Sequence, residues 1–396
     1  MVRKVVLLLL GVILMVLVAA CSSEMQENQD AQGSQQQQQQ GSTEGGEQLA
    51  NIGRHADVVI NESSYVSPLT EIFGDVFLGQ QNFVAASSVI RAAPGLRVEL
   101  GDEVNTQDNV IVRAKNESVI IGEQSNLGHH AIVRDSKIGD GVYIGYNTEV
   151  SNSEVGNGSL IYHGARVEGV EIPENSYVGA GEVVTDQATA DDLPTTKEAG
   201  VAEYYQEALL DIHEELTQGY IELYEKEGYD AVMEVAPNPK TSFNPEQIEP
   251  QIGQNVELDE FVRIVGDVRL GDNSSVGRRT AIRADEGTPI MIGPGAIIDD
   301  RVTFHAVKGT EIQIGEYVVV DDDVVLHGPL EMGDDNVIGE DAVVFRVRLG
   351  DNVQIGEGAV IAGPADKDFT LEIPDDTIIP GGAVVTSEKD LEALRD

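Results

Sequence analysis

From Ile121 the chain reads IGEQSN, LGHHAI, VRDSK, IGDGVY, IGYNTE, VSNSE, VGNGSL, and from Ile314 it reads IGEYVV, VDDDVV, LHGPLE, MGDDNV, IGEDAV. An apolar residue returns every fifth or sixth position, commonly followed by Gly or Asp and then by polar or small residues. Neither a helical period of 3.6 nor the simple alternation of a strand produces this spacing. A short strand followed by a turn does, with the apolar residue inward and Gly and Asn supplying the turn angles. Three such strands make one triangular coil, and coils stack at the strand spacing of ~4.8 Å.

The pattern fills two blocks, about 64–186 and 250–386, with shared landmarks such as FLGQQNFVAASSVIRAA beside RLGDNSSVGRRTAIRAD. This is an internal duplication. Between the blocks, Val201, Tyr205, Leu209, Ile212, Leu216, Tyr220 and Leu223 recur every three or four residues. They predict one apolar helix face lying along a prism. Pro237, Pro239, Pro245 and Pro250 then predict an extended linker. The repeat resembles the hexapeptide-repeat proteins, which implies a mainly-β chain of two left-handed parallel β-helix domains with an intervening α-helix. The domains expected are 51–235, including the helix, and 236–396.

The N-terminus reads differently. Arg3 and Lys4 precede an apolar run from Val5 to Ala20 and then LVAAC. This predicts a signal peptide over 1–20. The sequence around Cys21 resembles a bacterial lipobox, which implies lipidation there and a membrane partnership through the lipid. Residues 21–50, with Gln35–Gln40 unbroken, predict a disordered tether. Cys21 is the only cysteine, so the remainder has neither disulfides nor thiolate ligands, and any metal must be held by His, Asp or Glu. The formal charge is −44, from 69 acidic and 25 basic residues. That excludes nucleic acid as a partner and points to a salty or alkaline outer medium.

Only seven histidines occur, and two sit at matching points of the repeat. His305 in FHA and His327 in HGP are 22 residues apart (327 − 305). With a small outward loop around 307–312, they fall on one face, one coil apart. Block one has His129 and His130 in LGHHAI, but Arg113 and Arg134 where block two has the histidine pair. His55, His163 and His213 read as surface or turn residues, and His130 as a neighbour pointing away.

IRADEG followed by FHA, HGP and repeated IG hexads resembles the gamma-class carbonic anhydrases. That resemblance implies a trimer of β-helices with Zn²⁺, or Fe²⁺, between neighbours, and CO₂ and bicarbonate as the small-molecule partners. His305 and His327 match the ligand pair of one subunit, and His129 the third ligand; block two has Asp322 in that place. The family's Arg–x–Asp–Glu matches Arg283, Asp285 and Glu286, but is Arg91, Ala93 and Pro94 in block one. Its Asn–x–Gln matches Asn105 and Gln107, but is Ile297 and Asp299 in block two. The losses are complementary and predict one composite site where block two meets block one. By resemblance, Gln107 orients hydroxide, Glu286 assists bicarbonate or proton movement, and Arg91 pairs with Asp285 across the interface. The family's shuttle glutamate is Lys308 here, leaving Glu311 as another carboxylate. A ring of three prisms drawn from two blocks has one competent junction, hence at most one metal, and one position to be filled by another chain or a related protein unless the helix at 201–224 covers the open face. Two other readings of the same repeat are a hexapeptide acyltransferase and a non-catalytic surface scaffold.

Overall fold

The computed structural model describes residues 57–201, 207–363 and 371–394, with the side chains of 207–211 left aside. The signal peptide, the tether with Cys21, His55, Tyr205 and the Leu209 side chain lie outside the described residues.

Each block is a three-sided prism of short parallel strands. In prism 1 the chain visits three seven-stranded sheets in turn, so that every third strand pairs. The first sheet runs from Val58–Ile60 to Glu171–Ile172, the second from Tyr65–Val66 to Tyr177–Val178, and the third from Glu71–Phe73 to Val183–Val184. Prism 2 repeats the plan from Gln251–Ile252 to Val384–Val385. There Val325–Met332 and Val343–Leu349 run unbroken around a corner and merge two faces into one 13-stranded sheet. The expected left-handed parallel β-helix is thus present twice.

The hexad's apolar position forms the ladder that holds the coils. Ile60, Leu78, Leu100, Ile121, Ile138, Val155 and Ile172 stack in register along the inside of the first sheet. Burial of each such side chain contributes about 1.5–3 kcal/mol, so the stack makes a continuous core that neither a single coil nor a single strand could form alone. From Ile121 onward, partners lie 17 residues apart, two hexads and a pentad. The pentads VRDSK, VSNSE and VEGVE turn one tight corner through Asp135, Asn152 and Gly169, at φ 48°, 49° and 70°. Gly and Asn do not hold all such corners: Gln81, Glu103, His130, Arg279 and Tyr317 also take positive φ. The surrounding ladder pays for that strain, which costs about 1–3 kcal/mol per residue.

Helix α1 (Gln187–Asp191) follows prism 1, α2 (Glu207–Glu227) joins the prisms, and α3 (Glu388–Ala393) follows prism 2. Asp186 and Ser387 cap α1 and α3 by accepting backbone N–H groups three residues on. Ile212, Leu216, Tyr220 and Leu223 of α2 pack on Tyr65, Phe83 and Ala85 of the second sheet, as expected of the helix face. Val201 does not join them; it precedes the helix and packs against the aromatic cluster between the prisms.

The outward rungs of that second sheet are Tyr65, Phe83, Asn105, Asn126, Tyr143, Leu160 and Tyr177, in register. The first two lie under α2. Tyr143 and Leu160, with Tyr146 and Tyr162, pack against Val325, Val343, Phe345 and Val360 of prism 2. Between the two apolar covers lie the polar rungs Asn105 and Asn126, and the candidate site is at their level.

Candidate metal centre

The third face of prism 2 stacks Val265, Arg283, His305, His327, Phe345 and Ala362 in register. The 22-residue step is taken up by the turn after Ala306, where Thr310 N–H bonds Val307 O. His305 and His327 therefore stand one rung apart. Opposite them, His129 leaves the corner after strand Asn126–Leu127 of prism 1.

The three imidazoles face one another. Their centroids are 5.2 to 5.5 Å apart and His129 Nε2 is 3.3 Å from His305 Nδ1. One nitrogen of each lies within 4.8 Å of the others, the one such cluster among the described residues. All three are almost wholly buried. Burial pushes His129 down to about 3, against the pull of Asp108, and holds His327 well below the ordinary imidazole range. Neutral imidazoles are the ligand form.

The other nitrogens are tied outward, which fixes the ring faces. His129 Nδ1 is 3.3 Å from Asp108 Oδ2, and His305 Nε2 is 3.4 Å from Asp285 Oδ1 and 3.6 Å from Glu286 Oε2. His327 Nδ1 donates to Gly328 O at 3.1 Å, leaving Nε2 to the cluster. Three nitrogen donors with carboxylate support and no thiolate fit a divalent zinc or iron ion.

Gln107 Oε1 accepts the His129 backbone N–H at 3.1 Å, so its amide NH₂ is left to donate. Asn105 Nδ2 donates to Asn126 Oδ1 at 3.3 Å and lies 3.0 Å from His213 Nε2. Glu286 Oε1 accepts the Lys308 N–H at 2.9 Å, and burial raises its carboxyl above the usual range despite that bond. The Lys308 ammonium lies over Phe243, while Glu311 takes the Gln313 amide.

Arg91 does not pair with Asp285. It is exposed on the third sheet of prism 1, with its guanidinium 5.2 Å from the Phe73 ring centre. The arginine at the site is Arg283, which reaches Asp108 at 2.9 Å and Asp285 at 3.1 Å. Burial would raise both carboxyls, but Arg283 holds each below its ordinary value. Arg283–Asp108 is thus a buried ion pair between prisms, and Asp108 links it to His129. Asp108 directly follows Gln107 in NTQD, and nothing in that stretch of sequence marks it as a site residue.

Three other histidines are not surface residues. His163 is buried; its Nδ1 accepts the Tyr146 N–H at 2.9 Å, and its ring stacks on Tyr146 at 4.2 Å. Tyr146 stacks in turn on His327 at 4.8 Å. His213 is buried on α2. His130 does point away from the cluster, but into the junction, with Nε2 3.0 Å from Thr303 Oγ1 and Nδ1 3.6 Å from Asp323. A repeat reveals which side chains face outward; it does not reveal that another prism covers them.

No family model matches the sequence. The chain is 29% identical over 185 residues to a carbonic anhydrase of Methanosarcina thermophila, covering 41% of this chain and 75% of that protein. It is 30% identical over 151 residues to the carboxysome assembly protein CcmM of Nostoc, covering 35% of this chain but only 27% of that protein. Among solved structures, a hexapeptide transferase family protein of Anaplasma phagocytophilum is 19% identical, covering 41% of this chain and 92% of that one at a TM-score of 0.35. The chain is a left-handed parallel β-helix protein, similar in sequence to a carbonic anhydrase, with a three-histidine cluster spanning its two prisms that is able to hold a divalent metal.

Proposed function

We propose that the protein is a gamma-type carbonic anhydrase catalysing the reversible hydration of CO₂ to bicarbonate at a single metal site. His129, His305 and His327 are the ligands. The observation that carries this reading is the meeting of those three buried imidazoles, two from prism 2 and one from prism 1.

These three imidazoles would hold a divalent zinc or iron ion, which would supply Lewis acidity able to bring the pKa of water to about 7. The protein's own residues do the rest. Asp108 and Asp285 hold the imidazoles of His129 and His305 in their ligating orientation. The Gln107 NH₂, its oxygen already engaged, donates to an oxygen at the cluster and orients it. Glu286, whose carboxyl burial raises above its ordinary value and which lies 3.6 Å from His305 Nε2, takes up or gives a proton beside the cluster. Lys308 lies over Phe243 and Glu311 accepts from Gln313, and neither has a part in this scheme.

The reading extends to place and assembly. Cleavage before Cys21 and its lipidation hold the enzyme on the outer face of the cell membrane, where it speeds exchange between bicarbonate and diffusible CO₂. Among the described residues no helix is long and apolar enough to cross a membrane. The second sheet of prism 2 leaves Ile297, Val337 and Ile378 exposed. A third prism from a separate chain covers that face in this scheme.

CO₂ hydration by the mature protein, followed by stopped-flow pH change, tests the activity. Saturable hydration that is lost on metal removal and restored by zinc or ferrous iron is expected. Absence of hydration with the metal bound would leave a non-catalytic scaffold. For the anchor, Cys21→Ser is expected to move the protein from the membrane to the soluble fraction with activity intact; retention in membranes contradicts lipidation.

A further inference from the structure

Helix α2 does more than cover the second sheet. His213 and Tyr220 are seven residues apart, about two turns, and so share one face. Each makes a buried polar contact at the level of the histidine cluster, one with each prism.

Tyr220 OH donates to Asp285 Oδ2, the oxygen that also accepts from Arg283 at 3.1 Å. With that oxygen doubly engaged, Oδ1 is the one left to face His305 Nε2, at 3.4 Å. Asn244 Nδ2 donates to the Asp285 backbone carbonyl at 2.8 Å and fixes the main chain at the same point. Rotation of the Asp285 carboxylate would break the Tyr220 bond, so the helix sets the orientation of a metal-ligand candidate through one intermediate.

On the other prism, Asn105 Nδ2 is 3.0 Å from His213 Nε2. The amide nitrogen is the donor and Nε2 accepts, so the imidazole proton is on Nδ1. Burial holds His213 down to about 3, consistent with that neutral form. The second amide hydrogen goes to Asn126 Oδ1. Both hydrogens of Asn105 are therefore spoken for, and an amide flip would set its oxygen against Nε2. Asn105 Oδ1 is left buried and without a protein partner, as is His213 Nδ1. A polar ligand or a water in the adjoining space can satisfy both atoms. Beside them is a cavity of about 180 Å³, lined by Phe83, Glu103, Asn105, Gln124, His213 and Glu214. The helix thus forms one wall of an opening that ends at the Asn105 amide.

We propose that α2 is a working part of the metal site. Tyr220 is a positioning residue for His305 through Asp285, and His213 is a positioning residue that locks the Asn105 amide with its oxygen free. The inference rests on the carbonic anhydrase reading of the cluster. It explains why the linker between the prisms is a helix laid across the junction rather than a plain tether: it braces one group of each half-site against the other.

The test uses the full mature chain loaded with Co²⁺, whose visible spectrum reports the ligand arrangement. Tyr220→Phe keeps the ring that stacks on Tyr65 at 4.8 Å and removes only the hydroxyl. Loss of cobalt to a chelator is expected to quicken, by up to about 10-fold, the lower end of what removal of a histidine's direct partner does, with a shift of the visible bands. Leu216→Ala, on the same buried face without a polar contact, serves as the structural control. It is expected to lower Tm while leaving cobalt release and spectrum at wild-type values. His213→Phe is expected to leave cobalt release unchanged but to lower kcat, and His213→Gln, which restores an acceptor, to recover it. If Tyr220→Phe changes only Tm, as Leu216→Ala does, and His213→Phe keeps its kcat, α2 is packing alone and the inference is wrong. Should Tyr220→Phe fail to fold, the two His213 variants decide. Wild-type protein that takes up no cobalt would overturn the metal reading and this inference together. Tight cobalt binding that Tyr220→Phe leaves undisturbed, together with an unchanged kcat in His213→Phe, overturns the inference alone.

Discussion

The two prisms carry the same outward ladder on their third faces, with opposite fates. In prism 2 the rungs are Arg283, His305 and His327; in prism 1 they are Arg91, Arg113 and Arg134, equally in register. The first set is pressed against the second sheet of prism 1 and is buried. Of the second set, Arg91 and Arg113 are exposed, and Arg134 pairs with Glu149. The second sheets differ in the complementary way. Prism 1 presents Asn105, Gln107, Asp108 and His129, whereas prism 2 has Ile297, Asp299, Asp300 and Asp322 in the matching places. Asp322 is used in a turn, accepting the Asp300 N–H at 2.8 Å. Each prism therefore keeps the half of a site on the face that meets its neighbour, and only that half. One position in a repeat acquires chemistry when another surface removes it from water.

Substitution of Arg283, the buried arginine of the prism 2 ladder, is the strongest way to break this comparison. Arg283→Ala strands Asp108 and Asp285 as buried, uncompensated charges and is expected to cost about 3–5 kcal/mol, read as a drop in the denaturation midpoint. Stability within about 1 kcal/mol of wild type would mean that the cross-prism pair does not hold the junction.

Acidification should separate buried from exposed groups less sharply. His163, pushed down to about 3 chiefly by burial, stays neutral in the folded chain while the unfolded chain takes up a proton below about 6.5. The unfolded state thus binds more protons over that interval, so stability is present above about pH 6.5 and lost as pH falls toward 3. Asp108 and Asp285, depressed by Arg283, act with the same sign at lower pH. The metal-free wild type is expected to lose Tm more steeply with falling pH than His163→Phe, which keeps a ring against Tyr146. Parallel Tm–pH curves would show that His163 is not held neutral by the junction.

The smallest effect is expected on prism 1. Arg91→Ala should change stability by no more than about 0.5 kcal/mol, the usual range for a surface substitution, and should leave metal content unaltered. Loss of metal in Arg91→Ala would restore it to the site.

The fold was legible because its signal is redundant: every coil repeats the inward Val, Ile or Leu, and an error at one hexad is corrected by the next. The pairing of His305 with His327 followed from the same count once a short loop was allowed. What stayed hidden depended on contacts between the prisms. Arg91 was matched with Asp285 because repeat equivalence gives position on a face but not whether that face is covered. Asp108 was one carboxylate among 69 acidic residues, and nothing local marks it as the partner of Arg283. Tyr220 fitted the apolar stripe of a helix, and its hydroxyl has a role only once Asp285 lies beneath it. His163 and His213 read as turn or surface residues; His163 does lie in a turn, but both are buried, which no local pattern marks.

The central claim is that one site is assembled from halves on two prisms, and the metal count per chain tests it most directly. Native mass spectrometry with elemental analysis of the metal-loaded protein is expected to give one tightly bound ion per chain, and none in His129→Ala. Two tightly bound ions per wild-type chain, or one retained in His129→Ala, would contradict the account, because prism 2 would then hold metal without prism 1.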